Sequence, residues 1–220
     1  MGSATEAGEP PKPSLRGVLH EYAFFVSLCC GVALILAASD GKARVAACIY
    51  AFAVSALLGT SALYHRVTWR PKARRWMRRL DHSMIFVMIA GTYTPVALLA
   101  LKGPLARAIL IVLWAGAIGG VIFKLVWIDA PKWLFAAVYA LLGLISAAVV
   151  GELPASIGWL GAAGIVCGGL IYLAGAVVYA SGRPNPWPRV FGYHEVFHAL
   201  VILAAGLQYA VIAFAVVPRG

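Results

Sequence analysis

Two histidines four residues apart, His194 and His198, and a serine–histidine pair with the same spacing, Ser61 and His65, are the residues of this chain best suited to chemistry. Four residues along an α-helix correspond to about 40° of rotation and one turn of rise, so both members of a pair can face one point. His198 and Ser61 each lie roughly 6 Å deeper than their partners. Two antiparallel helices would then offer three imidazoles and a hydroxyl to a shared centre, with Asp81 adding a carboxylate. Three neutral imidazoles leave Zn²⁺ its fourth tetrahedral position for water, the pattern of a catalytic rather than a closed structural site. Bound Zn²⁺ lowers the pKa of that water to about 7. His65, His194 and His198 are therefore the candidate metal ligands, and Asp81 and Ser61 the candidate catalytic residues. Asp81 would hold or deprotonate the water or orient a histidine, and Ser61 would hydrogen-bond the water, the carboxylate or a substrate carbonyl.

Other readings of the same residues stand beside this one. His194-Glu195-Val196-Phe197-His198 matches H-E-x-x-H, in which the intervening Glu is the base of a metalloprotease and a third ligand comes from elsewhere. A single intramembrane histidine more often makes an interhelical hydrogen bond, and one near a span end can reach the headgroups. His20, Glu21 and His82 read that way, because none shares a helical face with another candidate. Lys124 reads as a snorkelling residue.

The elements that must position these groups follow from composition. Of 220 residues 62% are apolar and 12% charged, against about a quarter charged in soluble chains, which excludes an ordinary soluble protein. A helix crosses the hydrocarbon core in about 18 to 20 apolar residues. Such runs extend approximately over Tyr22–Ser39, Val45–Tyr64, Ser83–Leu101, Leu105–Ile128, Trp133–Val150, Leu153–Ala180 and Val190–Val217. None alternates polar and apolar as a barrel strand would. The expectation is an all-α integral membrane protein, a bundle of seven transmembrane helices. The first 20 residues are polar, with Pro10, Pro11 and Pro13, and no convincing cleavage site follows. Residues 1–20 read as a short disordered cytoplasmic tail and 21–220 as one transmembrane domain.

The 18 Lys and Arg residues decide orientation. Thirteen fall in the N-terminal tail and the second, fourth and sixth loops, seven of them between Arg66 and Arg79, whereas Lys42, Arg44, Lys102, Arg107 and Arg219 lie opposite. The positive-inside rule then puts the N-terminus in the cytoplasm and the C-terminus outside. Every candidate polar group, though not used in that count, falls at the cytoplasmic ends of its span. Trp69, Trp76, Trp127, Trp133 and Trp187 fall near span ends, as interfacial anchors do. The Arg66–Arg79 stretch reads as a solvated loop touching anionic headgroups, and the net charge of +10 needs no nucleic acid. A multi-pass protein of the cell membrane is expected.

The remaining features concern packing. Cys29, Cys30, Cys48 and Cys167 lie inside spans and read as small buried hydrophobes. Gly116 with Gly120, and Gly164 with Gly168, have the spacing that lets membrane helices approach closely. Asp81, Ile85, Met88 and Thr92 follow one face of the third span toward Pro95, which removes a backbone donor. That face is either a substrate route or a place where Thr92 and Thr94 satisfy backbone groups freed by the proline.

Ser61-Ala62-Leu63-Tyr64-His65, Arg79-Leu80-Asp81-His82-Ser83 with Gly91-Thr92-Tyr93-Thr94-Pro95, and His194-Glu195-Val196-Phe197-His198 together resemble the hemolysin III family, the bacterial branch of the progestin and adipoQ receptors. The likeness covers all seven spans. It implies an inward N-terminus and a zinc site near the cytoplasmic leaflet at His65, His194 and His198, with Asp81 contacting zinc-bound water and Ser61 beside it. Adiponectin receptors and the related alkaline ceramidases imply hydrolysis of lipid amides, whereas bacterial members carry a hemolysin label. Glu195 has no place in the set the resemblance implies. Three functions follow as expectations: a zinc-dependent hydrolase of a ceramide-like or other membrane lipid, a channel-forming cytolysin, and a non-catalytic receptor or homeostasis sensor with structural zinc. No span carries the regular polar stripe that would line a water-filled channel.

Overall fold

The computed structural model describes residues 13–39 and 41–219. It contains seven helices long and apolar enough to cross a membrane: α1 (Val18–Ala37), α2 (Gly41–Arg66), α3 (Pro71–Pro95), α4 (Gly103–Val126), α5 (Lys132–Ile145), α6 (Leu153–Ser181) and α7 (Tyr193–Val211). α3 and α7 run on as π turns, Val96–Ala100 and Ile212–Val216, and α5 as a 3₁₀ turn, Ser146–Val149. Each helix packs on its chain neighbours, α7 returns to α1 to close the ring, and α3 also reaches α5. Short connections force neighbours to run antiparallel, as the spans require.

Leu34, Tyr50, Leu57 and Val201 anchor an apolar core among α1, α2 and α7. Phe86, Leu113, Phe135 and Ile165 anchor another among α3, α4, α5 and α6. Tyr50 Oη donates to the Ala205 carbonyl at 3.3 Å and Tyr209 Oη to that of Cys30 at 3.0 Å, tying α7 to α2 and α1. Phe25, Leu36, Phe52, Ile111, Leu160 and Phe214 face outward, where only lipid can cover them. A Cβ on Gly168 would collide with Gln208 and one on Gly164 with Val211, so this glycine pair is what lets α6 and α7 meet. Gly116 and Gly120 instead meet two different helices, through Leu142 and Phe86. The cysteines are unpaired, but Cys29, Cys48 and Cys167 face outward rather than inward; spacing sets a residue's depth in a span, not the face it occupies.

The apolar scan misplaces several boundaries. α3 begins at Pro71 rather than Ser83, so most of the expected basic loop is helix and Lys72, Arg74, Arg75, Arg78 and Arg79 ride its first turns. Proline at the first helical position starts this polar segment, which a hydrophobicity scan cannot register. α7 begins at Tyr193 rather than Val190, because residues 187–191 turn back through a bridge between Trp187 and Phe191. Of the tail expected to be disordered, positions 1–12 lie outside the described residues. Residues 14–17 instead form a turn held by Ser14 N–H to the Arg189 carbonyl at 3.0 Å and Leu15 N–H to that of Val190 at 3.2 Å.

The basic segments meet at one end of the bundle. Arg66 bonds Glu21 at 2.7 Å, Arg78 bonds Asp129 at 2.9 Å, and Lys132 Nζ donates to the Tyr193 hydroxyl at 3.1 Å. Trp76, Trp127, Trp133 and Trp187 are exposed near the same end, as interfacial residues should be.

Candidate metal centre

Four helices deliver imidazoles to the basic end. The last turns of α2 carry Ser61 and His65, the middle of α3 carries Asp81 and His82, the first turns of α7 carry His194 and His198, and α1 opens with His20. The start of α7 is fixed by Glu195. One carboxylate oxygen accepts the Gly192 N–H at 2.8 Å and the other accepts from Arg16 Nε, while Tyr193 N–H donates to Asn185 Oδ1 at 3.1 Å. Glu195 and Asn185 therefore satisfy backbone donors at the start of the helix that carries His194 and His198. On the other wall, Gly17 has a φ of 80° and lies so close to α2 that a Cβ there would sit 2.6 Å from that of His65. Any other residue would be strained and would push His65 aside.

Candidate nitrogens of His65, His194 and His198 all lie within 4.8 Å of one another. Nε2 of His65 and Nε2 of His194 are 3.2 Å apart. Two imidazole nitrogens on one tetrahedral zinc at the usual bond length would be about 3.3 Å apart, so this spacing suits a shared ion. His194 and His198 are buried. Asp81 Oδ2 lies 3.9 Å from Nε2 of both His65 and His82, too far for a direct hydrogen bond but suited to one bridging water. Ser61 lies beside the Asp81 side chain, and both line the same cavity. The structure thus brings the three histidines together, with Asp81 and Ser61 close by.

Three other groups depart from expectation. His20, read from sequence as making an interhelical hydrogen bond or reaching the headgroups, is 2% exposed and stacks on His198 with ring centroids 3.8 Å apart and planes 8° from parallel. Neither of its ring nitrogens is in hydrogen-bonding geometry with a partner among the described residues. His20 shares no face of α1 with another candidate and meets His198 across the boundary between α1 and α7, at the membrane depth that all these groups share. His82 also turns inward, beside Asp81. Lys124 does not snorkel: it is buried, with Nζ 3.1 Å above the centre of the Phe135 ring.

Below the histidines lies a cavity of about 360 Å³. His20, Ser61, Asp81, His82, His194 and His198 form its head, and Leu57, Ile85, Met88 and Phe135 are among its apolar walls. Leu144 of α5 and Leu170 of α6 line it while being 58% and 59% exposed, so it opens sideways between those helices. Thr92 lines it too, but its hydroxyl donates to the Met88 carbonyl at 2.8 Å, and that of Thr94 to Ala90 at 2.8 Å. The two threonines thus bond carbonyls one turn back rather than presenting donors to a ligand.

Residues 9–209 match the family model described as Haemolysin-III related. The chain is 32% identical to the Hemolysin-3 homolog of Bacillus subtilis over 183 residues, 82% of this chain and 83% of that protein. It is 28% identical to Hemolysin-3 of Bacillus cereus over 206 residues, 92% and 91% of the two chains. Similarity extends to the Monocyte to macrophage differentiation factor of Homo sapiens, at 29% identity over 170 residues, 76% of this chain and 68% of that one. With seven apolar helices and a cluster of three histidines able to hold a metal ion, the chain belongs to the haemolysin III-related family of multi-pass membrane proteins.

Proposed function

We propose that the protein is a zinc-dependent hydrolase that cleaves an amide or ester bond of a membrane lipid at the cytoplasmic leaflet. The observation that carries this reading is the convergence of His65, His194 and His198, the last two of which line the head of an apolar cavity open between two lipid-facing helices. Imidazole donors at this spacing suit Zn²⁺. The ion supplies, when bound, a Lewis acid and a water acidic enough to lose a proton near neutral pH. Asp81 accepts the proton of the attacking water and returns it to the leaving nitrogen or oxygen as the carbonyl–heteroatom bond breaks. Ser61 holds the carboxylate of Asp81 in place for both transfers. The apolar walls take an acyl chain entering sideways and leave the carbonyl at the polar head.

Glu195 does not serve as a protease base in this reading, since both its oxygens are engaged at the start of α7. The name of the Bacillus cereus relative favours cytolysis as a second reading. The test is release of fatty acid from a panel of amide- and ester-linked lipids by purified, zinc-loaded protein, run beside dye leakage from liposomes. Zinc-dependent release without leakage is expected. Leakage that survives chelation, with no fatty acid released, would replace hydrolysis by pore formation.

A further inference from the structure

Among the described residues Lys124 is the one Lys or Arg that is buried, 2% exposed in the last turn of α4 and lining the cavity. Its Nζ rests on the face of Phe135, and among the described residues no carboxylate oxygen lies within 4.0 Å of it and no hydrogen bond reaches it. An ammonium placed there gives up hydration for one cation–π contact, which repays only part of the cost. Two further cations line the same end of the cavity. Arg78 is engaged with Asp129, and Lys132 with the Tyr193 hydroxyl, each with donors left over. Asp81 and Asp129 are the carboxylates whose charge reaches Lys124, but neither is in ion-pair contact with it.

We infer that Lys124, flanked by Arg78 and Lys132, forms an oxyanion subsite for the phosphate group of the ligand that occupies the cavity. Three cations with spare donors suit the several oxygens of a phosphate better than a single carboxylate. The subsite adjoins the candidate metal centre and the apolar walls, so the ligand class it selects is an acyl lipid with its phosphate a few bonds from the carbonyl. Assigning that ligand as substrate rests on the proposed hydrolase; the anion site itself does not.

The test is binding of oleoyl lysophosphatidic acid, mono-oleoyl glycerol and inorganic phosphate to the purified full-length protein in detergent, for wild type, Lys124→Met and Lys124→Arg. Met preserves the apolar stem, and metal content and thermal stability of each variant are read in parallel. Lys124→Met is expected to bind the phospholipid about tenfold or more weakly with mono-oleoyl glycerol unchanged, and Lys124→Arg to recover most of the loss. Inorganic phosphate that binds as tightly as the phospholipid would identify a free anion as the ligand, and much weaker binding a lipid headgroup; both uphold the subsite. Equal phospholipid affinity in wild type and Lys124→Met, or equal weakening for both lipids, would overturn it. Wild type lacking metal would instead end the hydrolase reading while leaving this comparison interpretable.

Discussion

The two halves of the bundle treat buried polar groups in opposite ways. Away from the basic end, Thr92 and Thr94 donate to carbonyls of their own helix, Trp114 Nε1 donates to Thr94 Oγ1 at 3.0 Å, and Gln208 Nε2 donates to the Ile165 carbonyl at 3.1 Å. Those groups are consumed by the fold. At the basic end, the rings of His20, His65, His194 and His198 contact one another, and Asp81 lies 3.9 Å from both His65 and His82. Side chains that satisfy nearby backbone report packing. Three imidazoles with candidate nitrogens within 4.8 Å of one another form a set that could hold a metal ion.

That contrast can be broken by removing groups from each half in turn. The largest effect is expected from chelation: stripping the metal should abolish lipid hydrolysis, by about 10³-fold or more, with recovery on adding Zn²⁺, measured as fatty acid release. Asp81→Asn should lower the rate by about 10²- to 10³-fold while metal content stays at the wild-type level, read by metal analysis on the same sample. A rate near wild type would reduce Asp81 to a structural partner. Glu195→Gln keeps an acceptor for the Gly192 N–H but loses the charge that Arg16 meets. It should cost about 1 kcal/mol of thermal stability and leave the rate within a few-fold, whereas a protease base would lose it altogether. Thr94→Ala should shift stability by about 1 kcal/mol and move neither rate nor metal content.

The parts legible in sequence are those carried by span length and by spacing within one helix. Seven apolar runs locate the helices, and the i, i+4 pairs Ser61/His65 and His194/His198 identify the cluster, because rotation per residue is fixed. The parts that were not legible depend on how one helix is turned against another. Lys124 has the span-end position and long stem of a snorkelling residue, yet the rotation of α4 points it at Phe135. His20 stands alone on its helix face and gains its partner only when α1 packs on α7. The start of α3 was hidden for another reason: its first turns are too polar for an apolar scan, although Pro71 marks them. Glu195 shows the converse, a residue whose motif suggests chemistry and whose contacts belong to a helix start.

The most direct measurement is the metal content of the purified wild type beside His65→Ala, His194→Ala and His198→Ala, with Thr94→Ala as the control from the other half. About one zinc per chain in wild type and Thr94→Ala, and loss of it in each of the three histidine variants while they remain folded, is expected for a three-imidazole site. Wild-type protein without stoichiometric metal, or full occupancy in any one of the three variants, would contradict it.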